Sequence, residues 1–262
     1  MLKNIYTPLA GAISQERALE TLANNLANAN TVGYKQDNVT FSLLEPEPFD
    51  KYPTPLPPAN FKVDLDKIGP LHGNDMSYVG IAGMERDFTQ GPAVNTHNKM
   101  DLMIEGNGLF KVQTKDGERY MRAGDLTLSP QGALVSKFGD PILGEKGNIF
   151  VRSENFQINR NGEVYQDGQL VDRIQLFEFK DPKNLQRVGQ NYYEYGGPPE
   201  EVAVSEKSTI LQGFLEGSNV NAIKNLTSLI VAHRSYEAYQ KAVSNYDKIM
   251  EKSSNTLGEI RA

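Results

Sequence analysis

Three histidines, His72, His97 and His233, are the first places to look for metal or acid–base chemistry, and their spacing supports neither. No two of them fall at the short intervals that put both imidazoles on one ion. Gly106-Asn107-Gly108 supplies two glycines but lacks the third of a dinucleotide loop, and no Lys-Ser/Thr follows as a phosphate loop requires. It reads as a strand turn. The absence of cysteine removes thiol nucleophiles, disulfides and thiolate zinc sites together. No Gly-x-Ser-x-Gly elbow is present. Carboxylate pairs at Glu45/Glu47 and Glu200/Glu201 sit in proline-rich or loop contexts, where a solvated charge is the default. These residues predict no catalytic site, no cofactor and no metal.

The elements that would have to position a site point instead to assembly. Leu2, Ile5, Leu9, Ala12, Leu19, Ala23 and Leu26 fall on one heptad seam, interrupted by Glu16. Near the other end Leu229, Ala232, Tyr236, Tyr239, Val243, Tyr246, Met250, Leu257 and Ile260 do the same, with Ser253 as the polar exception. A 3.5-residue repeat keeps its stripe facing a partner helix over many turns. The spacing predicts one helix over residues 3 to 29 and a second from Asn221 onward. Four asparagines, at 24, 25, 28 and 30, crowd the end of the first. Asparagine is a poor interior helix former because its amide competes for backbone groups. Two readings stand: a fraying helix end with Gly33 as a left-handed stop, or amides that bond laterally to neighbouring helices.

From Glu45 to Pro58 six prolines forbid helix and favour an extended arm or linker. Residues 100–180 alternate short apolar runs with turns at Lys115-Asp116-Gly117, Ser129-Pro130-Gln131-Gly132, Asn161-Gly162 and Asp167-Gly168. Such regular punctuation predicts antiparallel strands in a sandwich or open barrel. The fold class expected is therefore α+β: long N- and C-terminal helices pairing as a coiled-coil-like helical domain, with an antiparallel all-β middle domain. The divisions are 1–35 and 216–262 for the helical domain, 36–75 for the Pro-rich arm, and 76–215 for the β-rich domain.

A net charge of −6 argues against nucleic acid as a partner. No apolar run approaches the length of a membrane span, so direct membrane insertion is not expected. The start of the chain lacks the basic region and apolar core of a cleaved secretory signal.

The run Leu22-Ala23-Asn24-Asn25-Leu26-Ala27-Asn28-Ala29-Asn30-Thr31-Val32-Gly33-Tyr34-Lys35 resembles the N-terminal signature of the bacterial flagellar axial proteins, the rod and hook family. Met103 to Val112, with Tyr120, Arg122, Gly124 and Gly132 to Val135, looks like that family's central β segment. Gly217-Ser218-Asn219-Val220-Asn221, followed by Ile230, Arg234, Tyr236 and Glu237, looks like its C-terminal helix entry. The resemblance implies a structural subunit of the basal-body rod, of the FlgF/FlgG type. It also implies export from the cytoplasm through the flagellar type III apparatus without a cleaved signal, and a final place in the periplasmic rod. There the terminal helices would polymerise helically near the axis, as part of drive shaft and export channel, with the β domain outward. The opening Ile5-Tyr6-Thr7-Pro8-Leu9-Ala10-Gly11-Ala12 looks closer to the proximal-rod member than to the distal-rod or hook ones, although the prolines at 46–58 depart from both patterns. Partners would be other copies and neighbouring axial proteins.

On this reading the assembly interface is Leu19, Leu22, Leu26, Asn24, Asn25, Asn28, Leu229, Tyr236, Tyr239, Val243, Tyr246 and Met250. The junction motif is Asn30, Thr31, Gly33, Tyr34 and Lys35. A cell-wall enzyme and a non-polymerising coiled-coil adaptor are the rival functions. The first lacks a site in the middle domain, and the second would tolerate loss of the asparagine run.

Overall fold

A computed structural model describes residues 3–44, 78–152, 156–189 and 191–259. The proline-rich stretch 46–58, the Glu45/Glu47 pair and His72 lie outside the described residues. The chain divides into two compact units: residues 1–22, 39–84 and 227–262 form one, and residues 23–38 and 85–226 the other.

The first unit holds most of two long helices and a β ribbon. Helix α1 runs Lys3–Ala27 and continues through Pro8, which has no N–H to donate to the preceding turn. Strands β1 (Asp37–Leu44) and β2 (Tyr78–Arg86) pair with each other. Helix α2 runs Ala222–Glu259. Gly11 lies against the Tyr239 ring so closely that an added Cβ would sit 2.6 Å from it. The Ser14 hydroxyl donates to the Val79 carbonyl at 3.2 Å.

The buried face of α1 takes in one position of the apolar seam, Ala12, and otherwise departs from it. Gly11, Ser14, Thr21 and Asn25 are buried, whereas Leu9 and Ala23 are exposed and Leu19 and Leu26 only half-buried. Ser14 and Thr21 each stand two residues beyond a seam position, about 200° round the helix. Small and hydrogen-bonded side chains thus occupy the inner side, Leu9 looks outward, and Leu19, Leu22 and Leu26 lie between the two at half burial. On α2 the seam positions Leu229, Tyr236, Tyr239 and Val243 are half-buried, while Tyr246 and Met250 are exposed.

The second unit is built from antiparallel pairs. A six-stranded sheet has the order β15-β16-β6-β5-β14-β17, formed by Leu185–Arg187, Tyr192–Tyr195, Gly117–Met121, Leu109–Thr114, Leu176–Phe179 and Val202–Val204. A three-stranded sheet joins β11 (Phe156–Ile158), β12 (Glu163–Gln166) and β13 (Gln169–Arg173). Among the shorter pairs, β18 (Thr209–Gln212) lies on β4 (Leu102–Glu105), and β19 (Phe214–Glu216) on β3 (Ala93–Asn95). The turns are where the glycines predict them. β5 and β6 close over Lys115-Asp116, and β12 and β13 over Asp167-Gly168. Both residues of the latter have positive φ, 51° and 79°, as a tight two-residue hairpin demands. Leu102, Ile104, Phe110, Val112, Leu134, Ile142, Ile149 and Val164 belong to one buried core cluster, and Leu109, Leu185 and Tyr193 form a second, smaller one.

The expected fold class therefore needs correction. The helices do not form a coiled-coil-like domain apart from an all-β middle. Each helix passes from one compact unit into the other, and the β1–β2 ribbon belongs to the unit that holds most of both helices. Hydropathy selected the leucine stripe of α1, but close approach at Gly11 requires a small-residue face there instead. The sandwich or open barrel is likewise replaced, among the described residues, by a six-stranded sheet, a three-stranded sheet and several two-stranded pairs.

Candidate functional site

Residues 23 to 37, within the second unit, turn the chain from α1 into β1, and their side chains close on one another. Gly33 makes this turn possible. Its φ is 65°, its N–H donates to the Glu216 carbonyl at 2.8 Å, and an added Cβ would stand 2.5 Å from the Ala123 nitrogen. A left-handed φ and the absence of a side chain are both required.

Tyr34 and Asn25 form the first layer. The buried Tyr34 hydroxyl points between Asn24 Oδ1, at 2.8 Å, and Asn25 Oδ1, at 3.1 Å. Asn25, also buried, donates to the Asp37 carbonyl at 2.8 Å and accepts from the Asp37 N–H at 3.0 Å. One amide thus pairs with the backbone as a neighbouring strand would. Asn28 accepts from the Thr31 hydroxyl and donates to the Asn24 carbonyl. Arg187 covers the Tyr34 ring, its guanidinium carbon 4.3 Å from the centroid, and donates to Asp37 Oδ2 and the Lys35 carbonyl. Arg86 takes the other Asp37 oxygen at 2.8 Å.

Lys35 forms the second layer. Its ammonium, 1% exposed, donates to Glu216 Oε1 at 2.7 Å and to the Thr89 carbonyl at 2.6 Å. Glu216, also 1% exposed, accepts from the Gly91 N–H on the same oxygen and from Arg122 Nε at 2.5 Å on the other. The remaining Arg122 nitrogens donate to the Gly108 and Ile104 carbonyls. Burial lowers the Lys35 pKa, and the Glu216 carboxylate opposes that shift. Two cations therefore share one carboxylate in a volume closed to water. Asn219 adds a third tie, accepting from the Gln36 N–H and donating to the Asp87 carbonyl.

This arrangement holds rather than reacts. The ammonium and both oxygens of the carboxylate are committed to internal partners, and neither group reaches solvent. Among the described residues no group of three or more His, Cys, Asp or Glu could hold a metal ion. The arrangement unites Gly33, Tyr34, Lys35, Asn24, Asn25, Asn28 and Thr31, while Asn30 is exposed at its rim. Leu19, Leu22 and Leu26 and the α2 seam positions take no part in it. Sequence reasoning missed Glu216, Asp37, Arg187 and the role of Arg122. A weak signal existed for Glu216, a lone acid closing the apolar strand Phe214-Leu215-Glu216.

Three family models match the chain: "Flagella basal body rod protein" over residues 5–35, "Flagellar hook protein FlgE/F/G D1 domain" over 103–173, and "Flagellar basal body rod FlgEFG protein C-terminal" over 211–257. Each matched segment supplies one member of the buried triad: Lys35, Arg122 and Glu216. Among curated proteins, the chain is 32% identical over 259 residues to the flagellar basal-body rod protein FlgF of Caulobacter vibrioides, covering 98% of both. It is 31% identical to the rod protein FlgG of Buchnera aphidicola from Acyrthosiphon pisum, over 97% of this chain and 99% of that one. The hook-basal body complex protein FlhO of Bacillus subtilis is 29% identical, over 99% and 100%.

Proposed function

Because the chain belongs to the flagellar basal-body rod proteins, we propose that it works as a proximal-rod subunit that polymerises through the outward faces of its terminal helices. It is a structural protein of the basal body. Its partners on this reading are further copies of itself and adjoining axial proteins, and it reaches the rod through the flagellar type III apparatus. The terminal helices serve as the axial part on this reading, and the sheets within residues 93–216 as the outer part. The similarity to FlgF and the opening segment Ile5–Ala12 support the proximal position. Similarity to FlgG at nearly equal identity favours the distal rod as the second reading.

One observation carries the proposal. The inner side of α1 is small and largely polar, Leu9 is left outward at 42% exposed, and Leu19, Leu22 and Leu26 are only half-buried. A monomer gains only part of what that stripe can contribute, since fully burying an exposed leucine between subunits contributes about 1.5–3 kcal/mol. Leu9→Asp tests it. The purified chain should melt within a few degrees of wild type, because an exposed substitution changes stability by roughly 0.5 kcal/mol. A strain carrying only the variant should lack rods and fail to swim. Normal swimming would refute the role given to this face.

A further inference from the structure

The charges buried around Glu216 do not balance. Lys35 and Arg122, whose side chains are 1% and 3% exposed, bring two positive charges to one carboxylate. Asp87 is the other anion facing the Lys35 ammonium, and it is half-buried and accepts from the Thr89 N–H at 2.9 Å. On the carbonyl side of Lys35 the imbalance recurs, where Arg86 and Arg187 both bond the single carboxylate of Asp37. A chain of net charge −6 thus gathers cations in excess at this joint. Holding an uncompensated charge away from water is costly.

Of the two cations on Glu216, Lys35 is the one whose charge can go without orphaning a partner. Glu216 Oε1 would keep the Gly91 N–H at 2.9 Å, and Oε2 would keep Arg122. The Thr89 carbonyl would keep Asn219 Nδ2 at 3.2 Å. What remains is a neutral, balanced Arg122–Glu216 pair. Arg122 is anchored in addition to the Gly108 and Ile104 carbonyls. Moreover, two acceptors meet the Lys35 nitrogen, Thr89 O and Glu216 Oε1, and an uncharged amine has two N–H groups to give them.

Lys35 also sits where two stretches of chain are clasped. The Gly33 N–H donates to the Glu216 carbonyl at 2.8 Å, and the Asn219 N–H to the Tyr34 carbonyl at 3.4 Å. Asn219 Oδ1 accepts from the Gln36 N–H at 2.8 Å. Residues 33–36 follow α1 and residues 216–219 lead into α2, so one clasp serves both.

We propose that this clasp is a pH-responsive latch: the charged Lys35 ammonium keeps it looser than a neutral side chain would, and loss of that proton tightens it. Burial depresses the pKa of the ammonium; the Glu216 carboxylate opposes that shift and Arg122 adds to it. With the clasp open, the proton is held up to the ordinary lysine range near about 10.4. Below the folded value both forms are protonated and the latch is at its loosest. Between the two values the open form binds more protons, so closure gains with pH by up to about tenfold per unit. The latch stands on the geometry of the joint and holds whichever assembly the chain enters.

Hydrogen exchange on the purified full chain, wild type and Lys35→Met, tests this, with rates corrected for their intrinsic pH dependence. Methionine keeps the length of the side chain and removes its charge. At about pH 7 the Gly33, Gln36 and Gly91 amides should exchange more slowly in the variant, and the difference should shrink toward about pH 9 as wild type tightens. Faster exchange in the variant at neutral pH, a variant that does not fold, or a difference indifferent to pH would each overturn the latch, because Lys35 would then be a brace. A second measurement needs no substitution. In wild type the same three amides should gain protection relative to those of β5 over this pH range, and a constant ratio contradicts the proposal.

Discussion

Replacing Glu216 by glutamine removes the one carboxylate that Lys35 and Arg122 share, with almost no change of shape. In the native chain this group accepts three hydrogen bonds, from Lys35 Nζ, Arg122 Nε and the Gly91 N–H. The Gln oxygen can still serve one or two of these, but the NH₂ group would face a donor. Taking one partner from a buried ion pair costs about 3–5 kcal/mol, because a charge is left uncompensated. Lys35 can escape by losing its proton, which for an ammonium of ordinary pKa costs about 5 kcal/mol at neutral pH. Both routes give a similar loss. For a unit of this size each kcal/mol lowers the melting temperature by roughly 2–4 °C, so a fall of roughly 6–20 °C is expected.

The pH dependence identifies the cause. Burial already lowers the Lys35 pKa in the native protein, and loss of the opposing carboxylate lowers it further. The unfolded chain holds that proton up to the ordinary lysine range near about 10.4. Between the folded and unfolded values the unfolded state binds more protons, so stability rises with pH. That window opens at lower pH in the variant than in wild type. The stability gap should therefore narrow as the buffer is taken from about pH 7 to about pH 9, measured by calorimetry on the full chain. A melting temperature unchanged by the substitution, or a gap that widens with pH, would refute the shared-carboxylate account.

Gly33→Val should be worse tolerated than an ordinary surface change. A left-handed φ costs a side chain about 1–3 kcal/mol, and the new Cβ also strikes the Ala123 backbone. Loss of motility with the β unit still soluble is the expected readout, and normal motility contradicts it. Tyr34→Phe removes one hydroxyl while Asn25 Oδ1 keeps its bond from Asp37 N–H, so urea titration should show a loss of only about 0.5–1.5 kcal/mol. The Ser205 hydroxyl, with help from Ser208, holds the Glu178 carboxyl below its usual range. A depressed carboxyl contributes stability above the unfolded pKa and loses it as pH falls through the folded value. Ser205→Ala should thus reduce stability at neutral pH, with the difference fading in acid below about pH 4. A difference that persists there would assign the effect to packing.

The turns were the most legible part of this fold. Asp167-Gly168 and Lys115-Asp116-Gly117 announce hairpins because only certain residues accept those backbone angles. Gly33 was legible for the same reason. The inner face of α1 was not, since its members other than Ala12, namely Gly11, Ser14, Thr21 and Asn25, carry no hydropathic signal. They are buried by close approach at Gly11 and by hydrogen bonds, neither of which a heptad count detects. Glu216 was hidden by distance: Arg122 lies 94 residues away in sequence and Lys35 lies 181. A lone glutamate in a strand looks like any solvated acid until the topology brings β19 beside the junction. The asparagine run illustrates a middle case. Its residue types were noticed, but only coordinates show Asn25 turned inward to Asp37 and Asn24 left partly free at a cleft.

The central claim is that this chain builds the rod and that the outward stripe of α1 is covered there by other subunits. An image reconstruction of basal bodies isolated from cells expressing the chain tests this most directly. Density for the chain is expected within the rod, with Leu9, Leu19 and Leu26 packed against neighbouring helices. A complete rod in a strain lacking the chain would contradict the account, as would a rod in which that stripe faces solvent.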